Sequence, residues 1–352
     1  MNYDGTMIRV AINGYGRIGR MAHRVILEKY KSKIEVVAVN AGSSTDLKGW
    51  MYLLKYDTVY GQLEDEIGVE ESRESKKDLL GKIVINKRHK TLVFSQKDPS
   101  LLPWEDLKID VVIESTGHFE TLDKLNLHLK AGARNVILSA PAKGGNIETY
   151  VISVNNSDYS GANAISNASC TTNCIAPVAK IMSDNFGIEK AMMTTIHAYT
   201  SDQRLEDGGH KDYRRARAAA ANIIPTSTGA TSAAAKALPE LEGIFSGLSI
   251  RVPVPVGSLS DFTFLLKKEV SVEGVNSAFE EAAKNSVYRG ILEVTKDPIV
   301  SSDVVGNSHS AIVDLSLTQV VGGNMVKVIA WYDNEYGYAN RLIEEVLMVG
   351  SS

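Results

Sequence analysis

The sequence predicts a two-domain α/β protein, with a parallel-sheet domain first and an α+β domain with a mixed or antiparallel sheet second. Its 352 residues are enough for about two hydrophobic cores. Strands and helices alternate in the first part of the chain, whereas strands follow one another with few helices between them after residue 168. We therefore expect a first domain of residues 1–168 and 334–352, the latter a returning helix, and a second domain of residues 169–333.

Composition excludes several functional classes. A net charge of -4 and a pI near 6.0 give no overall attraction for nucleic acid or for an anionic membrane. No apolar run is long enough to span a bilayer, and residues 1–6 lack the features of a signal peptide, so we expect a cytoplasmic protein. The two cysteines, Cys170 and Cys174, are badly spaced for a disulfide, and no Cys/His pair has zinc spacing. We expect no structural metal.

The first strand, glycine turn and helix have the pattern of a dinucleotide-binding unit. Apolar strands are predicted at 7–12 and 34–39, and between them lies Gly14-x-Gly16-x-x-Gly19, which opens a helical pattern. The glycines allow a tight turn and the close approach of a pyrophosphate, which the helix N-terminus then binds. The first domain is therefore predicted to be a Rossmann domain that binds NAD or NADP.

The end of the second strand lacks the acidic residue with which NAD-specific Rossmann domains bind the adenosine ribose. The sequence there is Asn40, Ala41, Gly42 and Ser43. No carboxylate repels a 2′-phosphate, and the small and hydroxyl residues leave space and donors for one. This favours NADP. The alternative is that Asn40 alone binds the ribose and the loop is only a turn, in which case NAD is used.

Two further strands are expected to complete the cofactor edge of the first sheet. Buried-type strands are predicted at 109–114 and 135–140. The carboxyl ends of parallel strands line the cofactor crevice of such a domain, which makes Thr116, Gly117 and Ser139 candidates for this edge.

The segment 57–97 differs from its surroundings because it is charged and irregular. Short strands are predicted only near 81–85 and 91–94. Residues 64–78 are expected to form a solvent-exposed excursion without a function of its own.

The stretch 169–174 concentrates the reactive chemistry of the chain. Ser169 is expected to cap a helix, which places Cys170 in the first turn beside unpaired N–H groups and the positive end of the helix dipole. Such a position lowers the pKa of a thiol and favours the nucleophilic thiolate. Buried cysteines are commonly apolar fillers, and we expect that role for Cys174. The hydroxyl and amide side chains around Cys170 do not suit an apolar core, so Cys170 is the predicted nucleophile.

A nucleophilic cysteine needs a base that accepts its proton. Among seven histidines, His197 stands out because it ends an apolar strand predicted at 191–196 and precedes Tyr199 and Thr200. A hydrogen-bonded structural role is the alternative for any single histidine. The others are expected on helix faces (His23, His128), in a surface loop (His89), after a strand end (His118) or in polar loops (His210, His309).

Charge and hydroxyl groups for an anionic substrate are also present in the second half of the chain. The candidates are Arg215, Arg251, Thr171, Thr200, Thr228 and Gly229. Residues 228–230 open a helical pattern and have the composition of a phosphate nest. For the basic run 214–217, a solvated or interfacial cluster is the alternative.

The remaining elements of the second domain follow from their periodicity. Strands are predicted at 248–253, 261–266 and 326–331, and an amphipathic helix at 272–284. A last amphipathic helix starts near Tyr338 and needs an apolar surface, which we expect the first domain to provide.

Several motifs, in order along nearly the whole chain, resemble those of the phosphorylating glyceraldehyde-3-phosphate dehydrogenase family. They occupy residues 13–20, 53–57, 166–174, 210–217, 224–229 and 331–338. The Ser-Cys-Thr-Thr-Asn-Cys block is the most specific of them. The resemblance implies the reversible conversion of glyceraldehyde 3-phosphate, phosphate and NAD(P) to 1,3-bisphosphoglycerate and NAD(P)H in glycolysis or gluconeogenesis. It also implies a homotetramer.

The resemblance further implies roles for individual residues. Cys170 would attack the aldehyde, His197 would take the proton, and phosphate would cleave the resulting thioacyl-enzyme. Two anion sites would be formed, one by Thr200, Arg251 and Arg215, the other by Ser169, Thr171, Thr228 and Gly229. The cofactor would be contacted by Arg17 and Ile18 at the pyrophosphate, Asn334 at the carboxamide and Tyr338 at the nicotinamide ring.

Some positions depart from the family pattern, and two alternative functions share much of it. NAD-using members carry Asp at Ala41 and usually Pro at Gly209, so both positions indicate NADP. Lys97 replaces an arginine near the adenine, with a small expected effect. Erythrose-4-phosphate dehydrogenase is the nearest alternative, but it typically lacks the threonines and glycine found here at 200, 228 and 229. The other alternative is a non-catalytic nucleotide-binding scaffold or redox sensor, which would need none of Cys170, His197, Arg251 and Asn334.

Overall fold

The computed structural model describes residues 7–72 and 78–351, which form two compact units. The first comprises the described residues up to Thr149, Tyr159–Ala168 and the chain from Ala339 onward, and the second comprises Tyr150–Asp158 and Ser169–Tyr338. Residues 150–158 and 334–338 therefore belong to the second unit, which corrects the predicted boundaries. The physical reason is packing, because Val151 is buried in the core of the second unit.

The described strands of the first unit form a nine-stranded sheet in the order β10-β11-β9-β8-β1-β2-β7-β6-β5. The strands are β1 (Ile8–Asn13), β2 (Ile34–Asn40), β5 (Ile67–Glu71), β6 (Leu79–Ile85), β7 (His89–Phe94), β8 (Val111–Glu114), β9 (Asn135–Leu138), β10 (Glu148–Thr149) and β11 (Ala164–Ser166). Pairing is parallel from β10 to β7, and β6 and β5 are added antiparallel. A separate hairpin joins β3 (Tyr56–Asp57) to β4 (Gly61–Gln62).

Helices pack against this sheet. They are α1 (Arg17–Val25), which a π-helical turn continues (Ile26–Tyr30), α2 (Leu47–Lys55), α3 (Leu122–Lys130) and most of α7 (Tyr336–Gly350). Leu342, Ile343 and Val346 of α7 are fully buried, and Gly350 lies against Ile8 of β1. The last helix therefore covers the first sheet, as its apolar stripe predicts.

The first sheet differs from expectation at one segment. The exposed excursion predicted for 64–78 contains strand β5, which pairs antiparallel with β6, and residues 73–77 of that prediction lie outside the described part of the chain. Only the first residue of β5 is buried. An edge strand that depends on its partner rather than on burial leaves little hydrophobic pattern in the sequence.

The described strands of the second unit form an eight-stranded mixed sheet. Its strands are β12 (Ile188–Ala198), β13 (Ile224–Ser227), β14 (Phe245–Val252), β15 (Ser258–Leu266), β16 (Leu292–Thr295), β17 (Ala311–Asp314), β18 (Gln319–Val321) and β19 (Met325–Tyr332). The order is β13-β14-β12-β15-β19-β17-β16, with β18 beside β19. Most pairs are antiparallel, but β12·β14 and β16·β17 are parallel. The mixed sheet predicted from consecutive strands is thus present.

One face of this sheet is covered by helices α4 (Cys170–Phe186), α5 (Ala230–Ala237) and α6 (Val272–Lys284). Residues of β15 alternate strictly between buried and half-buried, so Phe262 and Phe264 enter the core beneath α4. Short 3₁₀ turns at 99–101, 156–158, 219–221, 239–241, 286–288, 301–304 and 315–317 connect the elements. None of the described helices has both the length and the apolar character of a membrane span.

Candidate active site and dinucleotide site

Helix α4 begins at the predicted nucleophile. Ser169 caps the helix, its Oγ accepting a hydrogen bond from the Thr172 N–H (3.0 Å), and Cys170 is the first helical residue. Cys170 Sγ lies 3.4 Å from His197 Nε2, near the end of β12. The structure therefore brings together the two predicted catalytic residues, and Cys174, one turn on, is fully buried as expected.

The surroundings of His197 define its protonation. Its Nδ1 lies 2.7 Å from the carbonyl oxygen of Ala198, which can only accept, and 3.1 Å from Arg251 Nη1, which can only donate. The shorter contact favours a proton on Nδ1, which leaves the lone pair of Nε2 facing the sulfur. Burial, and secondly the charge of Arg251, lower the pKa of His197 to about 3. The imidazole is therefore neutral and can accept the thiol proton.

The thiol itself differs from the expectation. Burial raises the pKa of Cys170, and the Arg251 charge and hydrogen bonds from Thr171 oppose this without reversing it. The helix position alone predicted a lowered pKa, but that argument omits the cost of placing an anion away from water. A base beside the sulfur is therefore more important to this site than the sequence indicated.

The first predicted anion group is assembled around an aspartate. Arg251 donates to Thr200 Oγ1 (2.9 Å), and the Thr200 hydroxyl donates to Asp202. Arg215 donates to the same carboxylate (3.0 Å). Thr200, Arg215 and Arg251 thus lie together as predicted, but Asp202, which links them, was not singled out. A carboxylate between two arginines keeps their charges in place where an anionic group could be bound.

The second predicted anion group lies where α4 and α5 begin. Thr172 Oγ1 is 2.8 Å from Ser169 Oγ and donates to the carbonyl of Ala230 (3.3 Å), which ties the two helix starts together. Gly229 precedes α5 without a side-chain cap, and Thr228 Oγ1 accepts from the Ala230 N–H (3.1 Å). Ser169, Thr228 and Gly229 are therefore neighbours, and backbone N–H groups at both helix starts suit an anion.

Thr171, the remaining member predicted for this second group, has a buried hydroxyl beside the nucleophile. This hydroxyl bonds the hydroxyl of Tyr332 (2.9 Å), which also bonds Thr195 Oγ1 (2.8 Å), and it hydrogen-bonds the Cys170 sulfur as well. Thr171 therefore attaches the start of α4 to strands β12 and β19, and its contact with the substrate stays a prediction.

Asn334 presents its amide nitrogen as a donor. Its Oδ1 accepts from the Gly257 N–H (3.1 Å) and from Ser258 Oγ (2.9 Å), which fixes the orientation of the side chain. An amide held in this way is suited to bind a carbonyl oxygen. Tyr338 is buried in the first turn of α7.

Comparison with known proteins decides the family. The NAD binding domain model of glyceraldehyde 3-phosphate dehydrogenase matches residues 8–122, and the C-terminal domain model of the same enzyme matches residues 169–334. Glyceraldehyde-3-phosphate dehydrogenases of Mycobacterium avium and Streptomyces coelicolor are each 49% identical to the chain, covering 98% of it and 99% of each relative. The chain belongs to the glyceraldehyde-3-phosphate dehydrogenase family. Its fold is therefore the predicted Rossmann domain joined to a catalytic domain.

In a glyceraldehyde-3-phosphate dehydrogenase the glycine turn has to admit a dinucleotide, and this one does. Gly14 has φ +95°, and a Cβ there would lie 2.6 Å from the Thr116 nitrogen, while a Cβ at Gly19 would lie 2.2 Å from the Gly14 oxygen. At Gly16 a Cβ would meet nothing within 4 Å, and α1 begins there without a side-chain cap. The turn is tight where the chain must fold and open where a pyrophosphate would bind.

Arg17 and Ile18, expected at the pyrophosphate, begin α1. Arg17 forms an ion pair with Asp57, and its guanidinium lies 5.9 Å from the ring of Tyr60. Its position beside the turn agrees with expectation, but Asp57 neutralises much of its charge. Ile18 is half-buried.

At the adenosine end, Asn40 does not have the predicted role. It is 2% exposed, and its amide donates to Asn13 Oδ1 (2.7 Å) and to the Gln96 oxygen (2.8 Å), while its Oδ1 accepts from the Gln96 N–H (2.9 Å). All its polar groups bind protein, which argues against ribose binding by this side chain. Ala41 is half-buried, and Ser43 and Lys97 are exposed.

A buried carboxylate that the sequence did not indicate holds the cofactor edge together. Glu114, at the end of β8, accepts hydrogen bonds from the Thr116 N–H (2.8 Å), from Asn13 Nδ2 and from His128 Nε2 (3.0 Å). Trp104 Nε1 donates to His128 Nδ1 (3.1 Å) and so fixes the tautomer. His128 thus lies on helix α3, as expected, and its face of the helix is buried. The available signal was a glutamate ending a strand that is otherwise wholly apolar.

The two remaining candidates at this edge lie beside Glu114. Gly117, exposed and with φ +71°, continues the turn that begins at Thr116. The Ser139 N–H donates to the Glu114 backbone oxygen (2.9 Å). Both therefore belong to strand ends that adjoin the glycine turn.

Alanine substitutions at two glycines of the turn test its contribution to folding separately from its contribution to dinucleotide binding. Gly14→Ala should lower the free energy of unfolding by about 2 kcal/mol or more, because φ is positive and the methyl group meets backbone. Gly16→Ala should leave that free energy within about 0.5 kcal/mol but raise the dinucleotide Kd about tenfold or more, because the methyl group fills the open space. Urea unfolding and dinucleotide titration measure both. Equal dinucleotide affinity in Gly16→Ala and the parent chain would contradict this assignment.

Proposed function

We propose that this member of the family oxidises glyceraldehyde 3-phosphate in the presence of inorganic phosphate and NAD(P), reversibly, to 1,3-bisphosphoglycerate and NAD(P)H. Cys170 and His197 are its catalytic residues. The observation that carries the proposal is the 3.4 Å contact between Cys170 Sγ and the unprotonated Nε2 of a neutral His197. Nucleophile and base are within reach of each other, and the base is itself oriented by a backbone carbonyl.

The chemistry of these two side chains follows from their geometry. As Sγ forms a bond to the aldehyde carbon, the thiol proton moves to His197 Nε2, which is the nearest base. The backbone N–H groups at the start of α4 can stabilise the substrate oxyanion. The bound nicotinamide supplies a hydride acceptor. Phosphate then attacks the thioacyl carbon, and the carbon–sulfur bond breaks to return Cys170.

The two anion groups would bind the phosphates of this reaction. Thr200, Arg215 and Arg251 offer positive charge and a hydroxyl, and Ser169, Thr228 and Gly229 offer hydroxyls and backbone N–H groups at the starts of α4 and α5. Burial, and secondly the positive charge of Arg251, keep His197 neutral and so free to accept a proton, although both lower its basicity. The proposal requires that inorganic phosphate and the phosphate of the triose bind at these two sites of the second unit.

Substitution of the catalytic pair tests the proposal. Cys170→Ser should lower kcat by about 10⁴-fold or more, and His197→Asn by about 10²- to 10⁴-fold, because each removes a group from bond formation or proton transfer. Cofactor reduction with glyceraldehyde 3-phosphate, and separately with erythrose 4-phosphate, is measured by absorbance. Cys174→Ala is the matched control, since this buried thiol is one turn away, and it should keep most activity. A Cys170→Ser enzyme as fast as the control would eliminate the covalent route.

We also propose that NADP is preferred over NAD. Ala41 supplies no charge at the end of β2, while Ser43 and Lys97 are exposed near this strand end and can contact a 2′-phosphate. Gly42 has φ +66° with open space around it, so the loop leaves room for the larger cofactor. Opposite charge and space, rather than a dedicated arginine, would carry the preference.

A single charge should reverse this preference. Ala41→Asp should lower the ratio of kcat/KM for NADP to that for NAD by about tenfold or more, because the carboxylate repels the 2′-phosphate and can bind the ribose hydroxyls. Ala41→Asn, of equal size without charge, is the control and should change the ratio much less. Steady-state kinetics with both cofactors decides. If both substitutions alter the ratio equally, size and not charge governs cofactor choice.

We also propose that the enzyme is a homotetramer and that it acts in the cytoplasm, in glycolysis or gluconeogenesis. These parts of the proposal rest on the family resemblance. Large apolar side chains on the second unit are consistent with subunit contacts, because Leu205, Tyr213, Ile223 and Met192 are all mostly exposed in the single chain. Light scattering coupled to gel filtration measures the subunit number directly.

A further inference from the structure

A carboxyl group is buried in helix α7 without full hydrogen bonding. Glu345 is 0% exposed, and among the described residues its Oε2 has no hydrogen-bond partner. Burial, and secondly the charge of Glu344, raise the pKa of Glu345 well above its ordinary value, which favours the protonated carboxyl group. An unsatisfied buried carboxyl costs stability, and an apolar residue would fit the interior of a covering helix better. Hydrophobic packing therefore does not explain why a glutamate occupies position 345.

The other oxygen of Glu345 contacts the segment that leads to the nucleophile. In the amide orientation that satisfies both neighbours, Asn167 Nδ2 donates to Glu345 Oε1 (3.0 Å), and Asn167 Oδ1 accepts from the Leu342 N–H (3.2 Å). Asn167 is fully buried and lies three positions before Cys170. Helix α7 thus binds the side chain of Asn167 at two points.

The next residue has a backbone conformation that needs support. Ala168 has φ +53°, in the left-handed region that residues other than glycine rarely adopt. Its N–H donates to Ser166 Oγ (3.0 Å), and the Asn167 N–H donates to the Leu138 oxygen (3.1 Å). The turn is therefore held by β9 on one side and by Glu345 on the other. From it the chain enters Ser169 and helix α4.

We propose that Glu345 is a positioning residue for Cys170, acting through its hydrogen bond to Asn167 on the left-handed turn at Ala168. A side chain that keeps Asn167 in place keeps the start of α4, and with it the sulfur, in one orientation. This inference rests on the proposed role of Cys170 as nucleophile. It accounts for a buried acid that otherwise only lowers stability.

The effect on stability should be small compared with the effect on reactivity. Glu345→Leu leaves the buried Asn167 amide without its acceptor but also removes a poorly satisfied buried acid, so the two changes offset each other and the Tm should change by only about a few degrees. The rate of Cys170 alkylation by iodoacetamide and kcat should each fall about fivefold to tenfold, as expected when one buried hydrogen bond that fixes the turn is lost. The KM for the dinucleotide should stay within about twofold. A merely structural residue would not give this combination.

Two further variants complete the experiment on the full-length enzyme. Glu345→Gln keeps the oxygen that accepts from Asn167, so it should restore alkylation and kcat to within about twofold of the parent. Glu344→Gln, the adjacent acid that pairs with Arg341 instead of Asn167, is the matched control and should leave the alkylation rate unchanged. Alkylation is followed by mass spectrometry of the peptide that contains Cys170, so the readout does not depend on turnover.

The outcomes separate this inference from the proposed function. Parent-like alkylation and kcat in Glu345→Leu would overturn the positioning role while leaving Cys170 as nucleophile. Slow alkylation in Glu345→Leu that Glu345→Gln does not restore would also overturn it, because the effect would not depend on the hydrogen bond. If Glu345→Leu does not fold, Asn167→Ala, which removes the other partner, must slow alkylation to a similar extent, and parent-like alkylation in that variant refutes the inference. Failure of the proposed function would appear elsewhere, as an active Cys170→Ser enzyme.

Discussion

The contact between Cys170 and His197 depends on one buried hydroxyl, that of Tyr332. The sulfur lies at the start of α4 and the imidazole near the end of β12, so a third element has to fix their separation. Tyr332, on β19, bonds Thr171 of α4 and Thr195 of β12, and its ring lies 6.0 Å from that of His197 in an edge arrangement. The polar bridge lies inside an apolar core, where hydrogen bonds are strong and costly to break. This bridge sets the distance across which the proton moves.

The electrostatics of the site favour a neutral pair that becomes ionic only when substrate reacts. Burial raises the pKa of Cys170 and lowers that of His197, so both effects disfavour the thiolate–imidazolium pair in the free protein. Arg251 favours the thiolate but opposes the imidazolium. Charge separation is therefore coupled to attack on the aldehyde, where the developing oxyanion finds helix N–H groups. Arg251 Nη1 lies 3.1 Å from His197 Nδ1, closer to the imidazole than activation of the sulfur alone would require.

Sequence reasoning predicted the elements whose pattern is long and local. The residues of α6 match the predicted 272–284, and β1, β2, β8 and β15 lie where apolar runs placed them. The missed strands, such as β10, β16 and β18, have only two to four residues, and each is defined by its pairing with another strand. Such strands have no periodicity of their own that a sequence could display.

The same distinction applies to the site. Cys170, Ser169 and the glycine turn were found because their chemistry depends on neighbours in sequence. Asp202, Glu114 and Tyr332 were not, since each acts by joining segments that the fold brings together. Thr171 and Tyr332, for example, are 161 positions apart. Burial is likewise a tertiary property, so the sequence could not show that burial raises the pKa of Cys170 against the effect of the helix start.

The cofactor edge of the first unit is built from buried polar groups, and this has a physical reason. Strands β1, β2 and β8 all end at this edge. Each has a polar last residue where the parallel backbone pairing stops, namely Asn13, Asn40 and Glu114. Asn13 bonds both of the others, so the three strand ends form one network. Because a partly satisfied buried network is less stable than an apolar core, loss of any member should affect all three turns together. The glycine turn after β1 and the loop after β2, the two segments proposed to contact the dinucleotide, are therefore coupled through this network, although they follow different strands.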